Sequence, residues 1–150
     1  MAEPNFEINR IYVKDLSVET PNTPEIFKGE WKPEINLKLD NALNPLEDDL
    51  YEVSLTVTVT ATNNEKTAYV VEVEKAGIFT LENFDEQQKG YVISAMIPNI
   101  LFPYARETIS HLVQKAGFPP MLLNPINFDA IYHQQMAEQM AKEQPADKKG

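Results

Sequence analysis

Hydrophobic and polar residues alternate through the first half of the chain and recur at helical spacing through the second. Tyr51, Val53, Leu55, Val57 and Val59 alternate with Glu52, Ser54, Thr56, Thr58 and Thr60, a period of two rich in β-branched residues that predicts a strand. Ile35, Leu37 and Leu39 alternate with Glu34, Asn36, Lys38 and Asp40 in the same way. A third run, Thr67 to Val73, places Tyr69, Val71 and Val73 on one face and Ala68, Val70 and Glu72 on the other, a side polar only in part. Asn63-Asn64 supplies turn chemistry between the second and third runs and predicts a hairpin. The opening stretch, Phe6 to Glu19, changes phase twice: Phe6 and Ile8 share one face, Ile11 and Val13 the other, and Leu16 and Val18 return to the first. A bulge, or burial on alternating sides, accounts for such switches.

Between the first two strands lies a loop in which Pro21, Pro24, Gly29 and Pro33 bar a helix or a central strand, yet it carries Ile26, Phe27 and Trp31. Those side chains must pack on something, either as a lid over the domain's own core or as part of a binding surface. From Asp85 the period changes. Asp85 to Ile97 predicts a helix ended by Pro98, with Pro103 suited to the first position of another. Ala105, Ile109, Leu112, Val113 and Ala116 form its apolar stripe, and Gly117 with Pro119-Pro120 marks the stop. A last helix begins near Asn127, a natural N-cap, and carries Phe128, Ile131, Tyr132, Met136 and Met140. Strands followed by helices predict a single α+β domain over residues 1–150 with a mainly antiparallel sheet, ordered from about 6 to 140. Residues 141–150 read as a flexible polar tail.

Composition narrows the function. Thirteen basic against twenty-three acidic residues give a net charge of −10, which repels a polyphosphate backbone and favours basic partners. With no cysteine there is no disulfide framework, thiolate metal site or cysteine nucleophile. The longest hydrophobic run, Ala68-Tyr69-Val70-Val71, is far too short for a membrane span, and the N-terminus lacks a basic, then apolar, leader pattern, so a cytoplasmic location is expected. The five glycines are too scattered for a phosphate-cradling loop. Ser54, Ser94 and Ser110 lack a nucleophile elbow. His111 follows Glu107, and His133 follows Asp129, by four residues; each is read as a surface ion pair because one helix supplies only two metal ligands. No enzyme, metal or cofactor is therefore expected. The half-apolar second side of the Thr67–Val73 strand points instead to self-association.

One stretch, Pro98-Asn99-Ile100-Leu101-Phe102-Pro103-Tyr104-Ala105-Arg106-Glu107, is similar to the signature of SecB, the bacterial protein-export chaperone family. Arg10-Ile11-Tyr12-Val13-Lys14-Asp15, Trp31-Lys32-Pro33-Glu34, Ala76-Gly77-Ile78-Phe79 and Pro125-Ile126-Asn127-Phe128-Asp129-Ala130 extend the resemblance over roughly residues 6–135. It implies a four-stranded Greek-key sheet followed by helices, paired edge to edge and assembled as a dimer-of-dimers tetramer. It implies an ATP-independent holdase that keeps precursor proteins unfolded and delivers them to SecA. By position, Trp31, Ile35, Leu37 and Leu39, with Phe128, Ile131 and Tyr132, would wall the client groove; Asp15, Glu19 and Glu72 would meet SecA; and Val71, Val73 and Lys75 would lie at subunit contacts. Val71 stands where well-known members carry cysteine, Lys75 replaces an often neutral residue, and Lys148-Lys149 ends a tail that is more often acidic. Two alternatives are a SecB-like chaperone devoted to one client, such as an antitoxin, and a small-ligand domain with the Trp31 loop as its lid.

Overall fold

The computed structural model describes residues 2–142. Four long strands form one antiparallel sheet: β1 (Asn5–Glu19), β2 (Glu34–Pro45), β3 (Leu50–Asn63) and β4 (Lys66–Glu82), in the spatial order β1-β4-β3-β2. Consecutive turns join β2, β3 and β4, and the long first crossover returns β1 beside β4, which is the Greek-key arrangement expected. The β3–β4 turn places Asn64 and Glu65 at φ 54° and 65°, the left-handed pair of a type I′ turn, whose twist matches the flanking strands. The crossover contains one short 3-10 turn at Glu25–Phe27, which the prolines permit because Pro24 precedes it rather than interrupting it.

Helices cover one face of the sheet. α1 (Glu86–Tyr91) opens with a capping box between Asp85 and Gln88, and α2 (Ile97–Lys115) lies across the central strands. Ile97, Leu101, Ala105, Ile109 and Val113, four apart, are fully buried against Val53, Leu55, Val57 and Val59 of β3 and Tyr69, Val71, Val73, Phe79 and Leu81 of β4. Each large side chain removed from water there stabilises the fold by about 1.5–3 kcal/mol. α2 ends in a Schellman motif: Gly117 sits at φ +97°, its N–H donates to the Gln114 carbonyl, and the Phe118 N–H donates to the Val113 carbonyl. α3 (Phe128–Lys142) starts where expected, with Asn127 Oδ1 accepting from the Ala130 N–H at 2.9 Å. The expected tail beyond Lys142 lies outside the described residues.

Three expectations are corrected. Pro98 does not end a helix: α1 continues through a π-helical turn, Val92–Met96, into α2, and Pro103 lies inside α2. Widening the turn to i→i+5 makes room for the Pro98 ring, and the Ile93 carbonyl, which a proline nitrogen cannot serve, accepts from Asn41 Nδ2 on β2 at 3.3 Å. β4 does not stop near Val73 but runs on to Glu82. Gly77 fits there because a Cβ would lie 2.7 Å from the Phe79 ring and 2.8 Å from the Arg10 carbonyl of β1. Third, Val71 and Val73 were expected at a subunit contact, but both are 0 % exposed within a single protomer. They face α2 and belong to the protomer's own core. Lys75 is half-buried on the same side, its Nζ 3.3 Å from Thr108 Oγ1 of α2.

The spare apolar surface lies instead on β1. Two register shifts, at Asn9 and at Lys14, fall where the sequence changes phase. Paired residues point to the same face, so Phe6 opposite Leu81, Ile8 opposite Phe79, Ile11 opposite Gly77, Val13 opposite Lys75, Leu16 opposite Val73 and Val18 opposite Val71 all lie on the helix side. The helical layer does not reach this edge: Ile8 is 48 %, Val13 40 %, Leu16 43 % and Val18 36 % exposed. On β4, Ala68 is the extra residue of a further shift opposite Ala61 and Thr62 and is fully buried, which leaves Val70 as the one apolar residue of its run on the other face.

Candidate binding groove and acidic sheet face

β2 forms the second edge, and its helix-side residues run between two concavities, one at each end. Ile35, Leu37 and Leu39 stand opposite Ala61, Val59 and Val57 of β3, so the alternation places all three on the covered face. At the Leu39 end a groove of about 370 Å³ opens between β2 and the helices, lined by Leu39, Leu55, Pro98, Phe128, Ile131 and Gln135 among others. Phe128 is buried edge-on against Phe102 at 5.8 Å and forms part of the groove's inner wall. Ile131, 38 % exposed, stands one turn further out.

Tyr132, expected in the same wall, points elsewhere. It packs edge-on to Tyr91 at 5.7 Å, while the Tyr91 hydroxyl donates to Asp129 Oδ1 at 2.9 Å. That hydrogen bond, with some desolvation, holds the Tyr91 phenol above its ordinary pKa. Tyr132 and Asp129 therefore fix the first turn of α3 against α1, which is what presents Ile131 to the groove.

Trp31 lies at the other end of the row, where the crossover loop meets the end of α2. Its ring packs 5.3 Å from Phe118 and 6.4 Å from Tyr69, Tyr69 lies 5.0 Å from Phe118, and Phe27 closes on Phe118 at 5.1 Å. Burial alone raises the Tyr69 phenol above its ordinary pKa. This aromatic nest borders a cavity of about 120 Å³ lined by Ile26, Phe27, Trp31, Asn63, Gly117 and Phe118 with neighbours. Tyr69 opposes Ala61, and Ala61 opposes Ile35, so the row Ile35–Leu37–Leu39 connects the nest to the larger groove. Trp31 packs on the domain's own core, as one of the two sequence readings has it, and is half-buried there.

The opposite face of the sheet is polar. Asp15 opposes Glu74, Ser17 opposes Glu72 and Glu19 opposes Val70, so Asp15, Glu19 and Glu72 share one face, joined by Glu74. Glu72 also accepts from Thr58 Oγ1 across to β3 at 2.9 Å. Further along, Glu52 of β3 accepts from the Tyr12 hydroxyl and from Lys14 Nζ at 2.7 Å, bridging over β4 to the edge strand. The Lys14 and Tyr12 donors lower the Glu52 pKa, the bond to Glu52 raises that of Lys14, and burial first, then Glu52, pushes the Tyr12 phenol up to about 12. Among the described residues no group of three or more His, Asp or Glu gathers as a metal site. None of their helices is long and apolar enough to cross a membrane.

Phe118, Asn41 and Asn63 are the functional neighbours that sequence reasoning missed. Phe118 follows a helix stop and reads as a loop residue, and Asn41 lies beyond the alternating run. Asn63 was visible only as turn chemistry, yet its side chain is 2 % exposed and bonded to the crossover loop.

Residues 1–139 match the family model described as SecB, preprotein translocase subunit SecB. A protein-export protein SecB of Methylococcus capsulatus is 52 % identical over 144 residues, covering 96 % of this chain and 93 % of that protein. That of Hahella chejuensis is 47 % identical, covering 94 % of this chain and 89 % of its own length. Among solved structures, a Mycobacterium tuberculosis SecB-like chaperone in complex with an antitoxin peptide superposes with a TM-score of 0.65 at 18 % identity, over 81 % of this chain and 90 % of that one, a likeness of fold.

Proposed function

The chain belongs to the SecB family and is a protein-export chaperone; we propose that it holds precursor proteins unfolded along β2 and hands them to SecA from the opposite sheet face. The observation that carries the reading is the continuous apolar row from the Trp31 nest through Ile35, Leu37 and Leu39 to Phe128 and Ile131, which is lined on one side by a sheet edge and open to solvent. An extended chain suits it. Its alternate side chains enter the row, and its backbone can pair with the free edge of β2. The small-ligand alternative has no such support from the family, and no observation favours a client-dedicated chaperone over a general one.

The energetics favour several grooves acting together. Burying one large apolar side chain gains about 1.5–3 kcal/mol, while fixing each residue of a client costs roughly 1–2 kcal/mol of backbone entropy. One groove therefore holds an unfolded chain weakly. Four copies on one particle convert later contacts into intramolecular ones and raise avidity by about 10²–10⁴. In this reading β1 makes the contact between copies: its ladder groups are free on one side, and its row of Ile8, Val13, Leu16 and Val18 is exposed. The particle is a tetramer that works in the cytoplasm without ATP. Asp15, Glu19 and Glu72, with Glu74 beside them, offer SecA an acidic surface that does not overlap the groove.

The decisive experiment is light scattering with no nucleotide present, with and without an unfolded, slow-folding precursor. A four-subunit particle that captures the unfolded chain and ignores the folded one is expected. A monomer that captures nothing would overturn the holdase reading. Asp15→Lys or Glu72→Lys should weaken SecA binding with client binding intact, and equal loss of both would refute the division between faces.

A further inference from the structure

The Asn63 side chain makes a pair of hydrogen bonds that bracket Trp31. Its Oδ1 accepts from the Lys32 N–H at 2.8 Å, and its Nδ2 donates to the Glu30 carbonyl at 3.0 Å. The amide thus does for residues 30–32 what a neighbouring strand's peptide would do, one acceptor and one donor side by side. Asn63 is buried whereas Glu30 and Lys32 are exposed, so losing either bond leaves an atom of the Asn63 amide without its partner away from water. A second asparagine supports the same docking: Asn22 Nδ2 donates to the Thr67 carbonyl at 2.9 Å, tying the start of the crossover to the start of β4.

Asn63 closes β3 just before the left-handed residues Asn64 and Glu65, and it stands on the helix side, two residues after Ala61. The hairpin end is held in the β3–β4 ladder, whereas the crossover has no ladder of its own around Trp31. We infer that Asn63 is the positioning residue of the groove: it holds Trp31 against Phe118 and Tyr69 so that the aromatic end of the row is formed before a client arrives. This rests on the groove reading above, and it adds a residue whose side chain need not touch the client. Preorganising the loop removes an ordering cost that each client would otherwise have to offset.

Trp31 is the only tryptophan in the chain, so its fluorescence reports on this loop directly. Asn63→Asp keeps the shape and the acceptor for Lys32 but faces the Glu30 carbonyl with a second acceptor. In the variant, Trp31 emission should move to the red and acrylamide quenching should increase. The Kd for a reduced, alkylated polypeptide that cannot refold should rise about tenfold, the worth of one or two hydrogen bonds. Trp31→Ala should weaken the same binding at least as much. Unchanged Trp31 emission and quenching in Asn63→Asp would overturn the inference, as would altered emission with unchanged client Kd while Trp31→Ala raises it. If Trp31→Ala leaves the Kd unchanged, the groove reading itself fails at this end and takes the inference with it, through a different variant. Should Asn63→Asp not fold, hydrogen exchange on the unaltered protein decides. The Lys32 amide should be protected like a strand amide, and exchange as fast as an unprotected peptide would overturn the inference.

Discussion

Both edges of the sheet carry a row of apolar residues on the same face, exposed along β1 but half-buried at Leu37 and Leu39 of β2. At the β1 edge no helix or loop among the described residues covers the row, so Ile8, Val13, Leu16 and Val18 form an open stripe. At the β2 edge the crossover loop stands at one end and α3 at the other, so the row Ile35–Leu37–Leu39 runs between two concavities, one bordered by Trp31 and one by Leu39 and Ile131. An uncovered stripe beside a free strand edge suits a self-complementary partner, whereas a walled row suits extended chains of varied sequence. Exposure alone does not separate these roles; what stands above the row does.

The comparison can be broken by changing chain length in each edge. Removing Lys38 from β2, which has no register shift, would throw part of its row to the polar face, with large losses in thermal stability and in client binding. Removing Lys14, itself the bulge residue of β1, should leave Val13 and Leu16 on the same face and be tolerated far better in thermal unfolding. Next in size, Gly77→Ala would drive a methyl group into the Arg10 carbonyl and the Phe79 ring, destabilising the β1–β4 pairing by about 1–3 kcal/mol in denaturant unfolding. A subtler change, Leu16→Asp with Val18→Asp, should barely affect protomer stability but lower the particle mass in light scattering. Unchanged mass would remove β1 from the assembly. The smallest effect belongs to Glu52→Gln. The Glu52 pKa is depressed below its ordinary 4.5 in the folded state, so its contribution is present above that value and lost as pH falls through the folded pKa. The stability gap between wild type and Glu52→Gln should therefore close in acid, read from urea titrations across the carboxylate range.

Much of this was legible in the sequence because period two survives wherever one strand face is buried. The β3 alternation marked its buried face, and both phase changes in β1 fall at register shifts, although burial on alternating sides would have read the same in the sequence. The Gly117 stop and the Asn127 cap were read from local chemistry that tertiary packing does not override. The failures were tertiary. Pro98 ends an isolated helix but not one whose widened turn is bonded to Asn41. Val71 and Val73 looked available because a strand does not reveal which of its faces a distant helix will cover. Of the groove, Leu39, Phe128 and Ile131 converge at one end and Trp31 stands at the other, while Tyr132 faces α1. Which way a helical residue points at a groove depends on the helix's rotation, set here by the Tyr91–Asp129 bond between elements far apart in sequence.

The strand order has a consequence for how the protein comes into being. β1 is synthesised first but pairs only with β4, and Asn5 meets Glu82 across 77 residues. At roughly 5–20 residues per second, β1 waits on the order of 4–15 s for its partner. Meanwhile β2, β3 and β4 can zip by local turns, and the sheet closes through its least local contact. During that interval the nascent chaperone trails an extended, unpaired segment rich in Ile, Val and Leu. It passes through the condition of the chains it is made to hold.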